Sequence, residues 1–313
     1  MSLNCTNFTL PSYGPGESVV FASLYLLMGI FICGGNILTI VAVWRTRVLR
    51  TIPNMFVVSL AVADLMVGAF VVPIQFLSFI PTLSKEIREN KYDCLFHFML
   101  TYSSVWLSVF FMMVIAFDRV LYIGYPFIYQ TMVTVHMAKI IIFSGCVLSL
   151  GFGIFPLLAY SWDECSACAL FGIMRVDYQL YGNFVSFGIV CFLTSICYGY
   201  IFKIARQHRR RFFRDKTSQV MSQIEHDIKL IKIYFLVFGI FFLSWSPNML
   251  VIIVDRFTRY PIPQCIIHLA LLLGLLNSGM NFLVYSIRNE DFRKAFKKML
   301  FRHNRIIPDN LET

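Results

Sequence analysis

Asp64 is a lone carboxylate inside an apolar run, SLAVADLMVGAF. If that run crosses a bilayer, a charge there costs about 2.5–3.5 kcal/mol or more, which marks the residue for a role. Other polar groups fall at comparable depth in other apolar runs: Asn36, Ser108, Asn277, Ser278 and Asn281. Oxygen donors gathered around one carboxylate suit a hard cation such as sodium, so an allosteric sodium ion at Asp64 is expected. A second charged group is Asp118–Arg119 at the end of the third run, with Asp227 opening the sixth. Pairing of Arg119 with both aspartates would hold two helices together as a bistable contact. The sixth run also contains Trp245 and Pro247. A proline inside a helix removes a hydrogen bond and kinks it, which supplies a lever between the two ends. Chemistry of the catalytic kind is not indicated. The six histidines are scattered, with no Ser/His/Asp spacing and no metal motif.

These residues need elements to position them. The chain is 58% hydrophobic and only 14% charged, far too little charge for a water-soluble domain of 313 residues. Apolar runs near 19–44, 54–80, 94–123, 138–160, 178–205, 229–254 and 262–286 each approach or exceed the ~20 residues a spanning helix requires. They are too long and continuous for barrel strands. The expected fold is an all-α membrane protein: a seven-helix bundle with a short amphipathic eighth helix. Most of the 27 Lys and Arg residues cluster on one side, at 45–50, 203–232 and 288–305. By the positive-inside rule that side is cytoplasmic and the N-terminus is outside. Sequons at Asn4 and Asn7 stand on the outer side, where glycosylation occurs. Residues 1–18 lack the basic and apolar regions of a cleaved signal, so the first helix is expected to act as an anchor. The expected organisation is an outer N-terminus at 1–18, a bundle at 19–286, and an amphipathic helix with an inner tail at 287–313. In that tail Phe292, Phe296 and Leu300 recur every four residues among Arg and Lys, the pattern of a helix lying on an anionic leaflet. Of the nine cysteines, Cys33, Cys146, Cys191 and Cys197 lie in the runs, and Cys5, Cys94, Cys165, Cys168 and Cys265 lie outside.

Taken together, Gly35–Asn36, LAVAD ending at Asp64, Cys94, Asp118-Arg119-Val120, Tyr198, SWSP at 244–247 and NSGMNFLVY at 277–285 resemble the rhodopsin-like G-protein-coupled receptors over nearly the whole chain. Within that class, SLAVADLMVGAFVVP (59–73), CLF (94–96) and CALFGIMRVDYQLY (168–181) are similar to the adenosine receptors. The resemblance implies a Cys94–Cys168 disulfide, with Cys165 as the rival partner, and leaves Cys5 and Cys265 unassigned. It implies a ligand pocket lined by Gln75, Thr101, Tyr102, Val105, Phe171, Met174, Asn183, Asn248, Met249, Ile252 and Leu271. It assigns the ion site and switch to Asp64, Ser108, Trp245, Asn277, Ser278 and Asn281. It assigns coupling to a heterotrimeric G protein to Asp118, Arg119, Tyr198, Asp227 and Tyr285.

The resemblance breaks at the ligand. The adenosine receptors' sixth-helix asparagine and histidine are matched by Ile252 and Met249, and their seventh-helix serine and histidine by Gly274 and Leu275. Hydrogen bonds to adenosine would be lost at each position, which weighs against its binding in the usual mode. The remaining lining is mostly apolar with a few uncharged polar groups, as a neutral, partly hydrophobic small molecule requires. Switching marks are altered too. Val120 ends the Asp-Arg motif, Phe282 and Val190 stand in place of prolines, and Cys146 in place of a tryptophan. The expectation is a plasma-membrane receptor that promotes nucleotide exchange on a G protein in response to an extracellular ligand. The competing expectation is a non-signalling or constitutively active relative acting as decoy or partner subunit. A transporter would show internal repeats and paired broken helices, which are missing.

Overall fold

The computed structural model describes residues 14–80, 83, 90–158, 160, 182, 184–212, 218–258 and 262–301; within these, the side chains at 156, 205, 208–212, 218–234, 256, 288 and 301 are excepted. The helices are α1 (Pro15–Arg45), α2 (Ile52–Leu77), α3 (Lys91–Gly124), α4 (Pro126–Met132), α5 (Val135–Leu158), α6 (Ser186–Phe212), α7 (Ser218–Phe257), α8 (Gln264–Arg288) and α9 (Glu290–Phe301). Seven of them (all except the short α4 and α9) are long and apolar enough to cross a membrane. The protein is therefore an all-helical, multi-pass membrane protein with a short C-terminal helix, as its sequence led us to expect.

Local chemistry sets the ends. Pro15 occupies the first turn of α1, where its missing N–H is harmless, and the Gly14 N–H donates to the Glu17 carboxylate at 3.3 Å. Asn90 caps α3, its side-chain oxygen accepting from the N–H of Tyr92 at 3.0 Å and of Asp93 at 3.4 Å. Asn289 does the same for α9, accepting from Asp291 at 3.0 Å and Phe292 at 3.3 Å, so the chain leaves α8 and restarts at once as a new helix. In α2 the turn Val67–Val71 is a π-helix. Pro73 follows it and cannot donate backward, which widens the preceding turn.

Boundaries differ from the sequence expectation most clearly in three helices: α6 continues to Phe212 rather than ending at 205, and two others start earlier. Helix α1 begins at Pro15 rather than 19, because the Gly14–Pro15–Glu17 start signal lies ahead of the apolar run. Helix α7 begins at Ser218 rather than 229. Its apolar span is Phe235–Asp255, and the remainder is a polar extension that hydropathy alone would read as loop.

The bundle is apolar on its outer surface as well as in its core. Large apolar side chains such as Phe143, Phe192 and Leu243 face outward, as a surface against hydrocarbon does. Asn36, Thr39, Asp64, Ser104, Ser108, Asn277, Ser278 and Asn281 are buried inside. Helix α3 packs against α2, α5, α6 and α7, and carries the buried Phe111, Met112 and Ile115. Where α5 crosses it, a Cβ on Gly153 would stand 2.8 Å from the Met99 carbonyl oxygen and overlap the Ser103 hydroxyl, so only glycine allows the approach.

Helix α9 packs on α8, on α1 and on the short turn Arg47–Leu49. Phe292 and Phe296 are buried, with Phe292 stacked on Tyr285 at 5.4 Å and Phe296 5.3 Å from Phe282. Two of the three residues in the expected leaflet-facing stripe thus face the bundle, while Leu300 and the lysines stay exposed. Phe282 is wedged between α9 and α1. A Cβ on Gly35 would lie 2.8 Å from its ring and 2.9 Å from its own Cβ, too near the backbone for rotation to relieve. Gly35→Ala is therefore expected to destabilise the protein by about 1–3 kcal/mol, as overpacking does, and by much less in a Phe282→Ala background. Thermal unfolding in detergent measures both, and equal losses in the two backgrounds would contradict the wedge.

Candidate functional site

The middle of the bundle is organised by one carboxylate. Asp64 on α2 is 0% exposed. Its Oδ1 accepts from the Ser108 hydroxyl of α3 at 3.0 Å, and its Oδ2 from the Asn281 amide of α8 at 2.8 Å. On α1, the Asn36 amide donates to the carbonyl of Ser278 and to that of Ile32, each at 2.9 Å. Asn277 lies four residues before Asn281, on the same face of α8. Its side-chain oxygen is buried with no hydrogen-bond partner. Asp64, the Ser108 hydroxyl and the unpartnered Asn277 oxygen offer oxygen atoms of the kind a small hard cation takes, while Asn281 turns its amide nitrogen to the carboxylate. All six polar residues singled out by depth in the sequence are buried here. Asn36 enters the network through the Ser278 backbone, a detail depth alone did not indicate.

Trp245 is buried on α7 just before Pro247, which sits inside the helix. Its ring lies against Gly274 of α8, where an added Cβ would come within 2.9 Å of it. Helices α6 and α8 run unbroken through Val190 and Phe282, the two positions where proline is replaced.

Towards the outer end, Gln75 of α2 and Thr101, Tyr102 and Val105 of α3 are partly buried. On α7, Asn248 and Ile252 are buried and Met249 partly so. Leu271 of α8 packs into an apolar cluster with Phe21, Tyr25 and Phe79. Phe171, Met174, Asn183, Cys168, Asn4 and Asn7 lie outside the described residues. Cys94 is disulfide-bonded, while Cys265 and the four cysteines within the spans are free, so its partner also lies outside them. The structure adds His97, which sequence reading passed over. It is buried on α3, and its Nε2 meets Gln75 Nε2 at 2.9 Å. The signal was available: a histidine one turn after Cys94, within an apolar run.

At the inner end, Arg119 donates to Asp118 through Nε at 2.9 Å and through Nη2 to the same oxygen. Both side chains are buried. The other Asp118 oxygen accepts from the Tyr129 hydroxyl of α4 at 2.9 Å. Burial and the neighbouring Asp118 carboxylate push the Tyr129 phenol above its ordinary range, so it remains a donor. The Arg119 guanidinium lies 5.1 Å from the Tyr122 ring centre. Asp227 falls in the inner extension of α7, and its side chain is outside those described. Tyr198 packs between Phe235 and Phe238 of α7, each at 5.9 Å. Phe127 of α4 stands 85% exposed near this end, a second residue the sequence reading did not select.

Comparison with known proteins agrees with this layout. The family described as 7 transmembrane receptor (rhodopsin family) matches residues 35–285. Adenosine receptor A2b of Homo sapiens is 30% identical over 92% of this chain and 91% of its own length. Adenosine receptor A2a of Canis lupus familiaris is 29% identical over 91% of this chain and 73% of its own. Adenosine receptor A2b of Bos taurus is 29% identical over 92% and 91% respectively. The chain therefore belongs to the rhodopsin family of seven-transmembrane, G-protein-coupled receptors, a family of receptors rather than enzymes, and is distantly related to the adenosine receptors.

Proposed function

We propose that the protein senses a neutral extracellular small molecule at the plasma membrane, with its N-terminus outside, and promotes nucleotide exchange on a heterotrimeric G protein. One observation carries this reading. Asp64 ties α2, α3 and α8 together in the middle of the bundle, between an outer polar group and the inner Asp118–Arg119 pair. A buried network linking three helices is a discrete arrangement that a ligand on one side and a G protein on the other could both bias. Asp118, Arg119, Tyr198, Asp227 and Tyr285 would rearrange at the G-protein face. The exposed Phe127 offers that partner an apolar contact. The direct test reconstitutes the full chain with a panel of G proteins and measures nucleotide exchange, basally and with neutral nucleosides, steroids and lipids. Exchange above the receptor-free rate is expected. None with any G protein would favour the decoy or partner-subunit reading.

The Phe282 wedge bears on the basal rate. Removing its ring frees the inner end of α8 from α1 and α9, and proline there deletes a helix hydrogen bond. Phe282→Pro is expected to raise basal exchange several-fold, and an unchanged rate would refute the wedge as a restraint on switching.

In our reading Asp64, Ser108, Asn277 and Asn281 would hold a sodium ion, with Ser278 beside them. Bound cation stabilises the folded state by mass action. The wild type should melt at higher temperature in sodium chloride than in choline chloride of equal strength, and Asp64→Asn should erase the difference. A wild type indifferent to the cation rules the site out.

Adenosine is named in the relatives, but their binding mode does not transfer in our reading. Gly274 matches their serine, and a side chain there meets the Trp245 ring. Gly274→Ser should lower the melting temperature without creating adenosine binding. A gain of adenosine-dependent stabilisation would show that this steric argument is wrong.

A further inference from the structure

His97 is 6% exposed, one turn below the disulfide-bonded Cys94 on α3. Gln75 of α2 presents its amide nitrogen to His97 Nε2 at 2.9 Å. An amide nitrogen only donates, so Nε2 is the acceptor and the proton of the neutral ring sits on Nδ1. That Nδ1 is buried without a hydrogen-bond partner. Two hydroxyls on the same two helices send their protons to backbone carbonyls. The Thr101 hydroxyl, one turn deeper, donates to the carbonyl of His97 itself at 2.8 Å. The Ser78 hydroxyl donates to the carbonyl of Gln75 at 2.7 Å. The Phe98 ring, 5.8 Å away, brings no strong acceptor.

A buried donor with no acceptor destabilises a folded protein unless something supplies the acceptor. A single water needs two to four polar partners to settle in such a place, whereas a ligand carbonyl satisfies the donor with one oxygen. The described residues that we place around the outer pocket, Thr101, Val105, Asn248, Met249 and Ile252, carry no charge. A cation is disfavoured by an N–H pointing at it, and nothing in this set would compensate an anion beyond the donor itself.

We propose that Gln75 and His97 form a recognition pair in which Gln75 fixes the imidazole tautomer and the Nδ1–H of His97 donates to a carbonyl oxygen of a neutral ligand. This rests on the reading of the outer bundle as a ligand site, and gives that ligand a required group. The pair is a specificity device. A ligand lacking the oxygen leaves the donor unsatisfied and is rejected strongly.

The experiment has a ligand-free arm and a ligand arm, both on the full chain in detergent. Without ligand, the paired replacement Gln75→Leu with His97→Phe removes the orphaned donor and its partner together. It should raise the melting temperature by roughly 2–4 °C. A fall would show a structural pair and overturn the proposal. The ligand arm uses inosine, progesterone and monoolein, each beside an analogue without the carbonyl oxygen. At least one carbonyl probe should raise the melting temperature of the wild type, with its analogue at least tenfold weaker. His97→Phe should abolish the effect, and His97→Asn, which keeps an N–H near the Nδ1 position, should retain most of it. Equal stabilisation of the wild type and His97→Phe proteins would overturn the assignment. So would the failure of every probe to outperform its analogue. A probe that binds through His97 yet leaves nucleotide exchange unchanged would count against signalling while leaving this recognition in place.

Discussion

The burial of Asp64 is the constraint on which the bundle depends. An isolated carboxylate in low dielectric is costly, and here it is surrounded by donors from two other helices. Those contacts fix how α2, α3 and α8 stand relative to one another. Asn36 extends the arrangement to α1 through the Ser278 carbonyl. Helices in lipid gain little from apolar contact with each other, because the surrounding chains are equally apolar. Polar bonds and close steric fit must therefore supply specificity. In the proposed mechanism the same network that orders the helices is where a two-state change would occur.

Close fit does the rest, and it does so at glycines and large rings. Gly153 lets α5 approach α3, and Gly35 receives Phe282. The second contact reaches further. Phe282 also meets Phe296, and Phe292 stacks on Tyr285, so α9 is fastened to the inner ends of α1 and α8. The phenylalanine at 282, where the resemblance to the family implies a proline, thus has two consequences. It restores a backbone donor to α8, and it fills the gap between three helices. Both stiffen the inner end, which in the proposed mechanism must move.

On the outer side the departure that we propose from the adenosine receptors' ligand contacts has a steric basis. Gly274 is not an open position awaiting a side chain; the Trp245 ring already lies against it. Ile252 is buried rather than presenting a polar group. The Gln75–His97 pair is the polar feature that the structure adds on this side. The inner pair shows the same economy of contacts. Asp118 serves both Arg119 and Tyr129, so α4 is tied to α3 at the point where a G protein would dock in the proposed mechanism.

The sequence alone determined the number of crossings and the depth of the buried polar residues. Hydrocarbon leaves few alternatives to a helix of sufficient length, so apolar runs translate almost directly into spans. Helix ends were less legible. The start of α1 depends on Gly14, Pro15 and Glu17, and that of α7 on a polar stretch whose helicity hydropathy does not register. Partnerships were decided only in three dimensions. Nothing in the spacing of Gln75 and His97, or of Gly35, Phe282 and Phe296, says that they touch, because contact between helices depends on rotation and crossing angle. The amphipathic stripe of α9 illustrates the limit. Its period was plain in the sequence, but whether Phe292 and Phe296 met lipid or protein depended on where α1 and α8 left room.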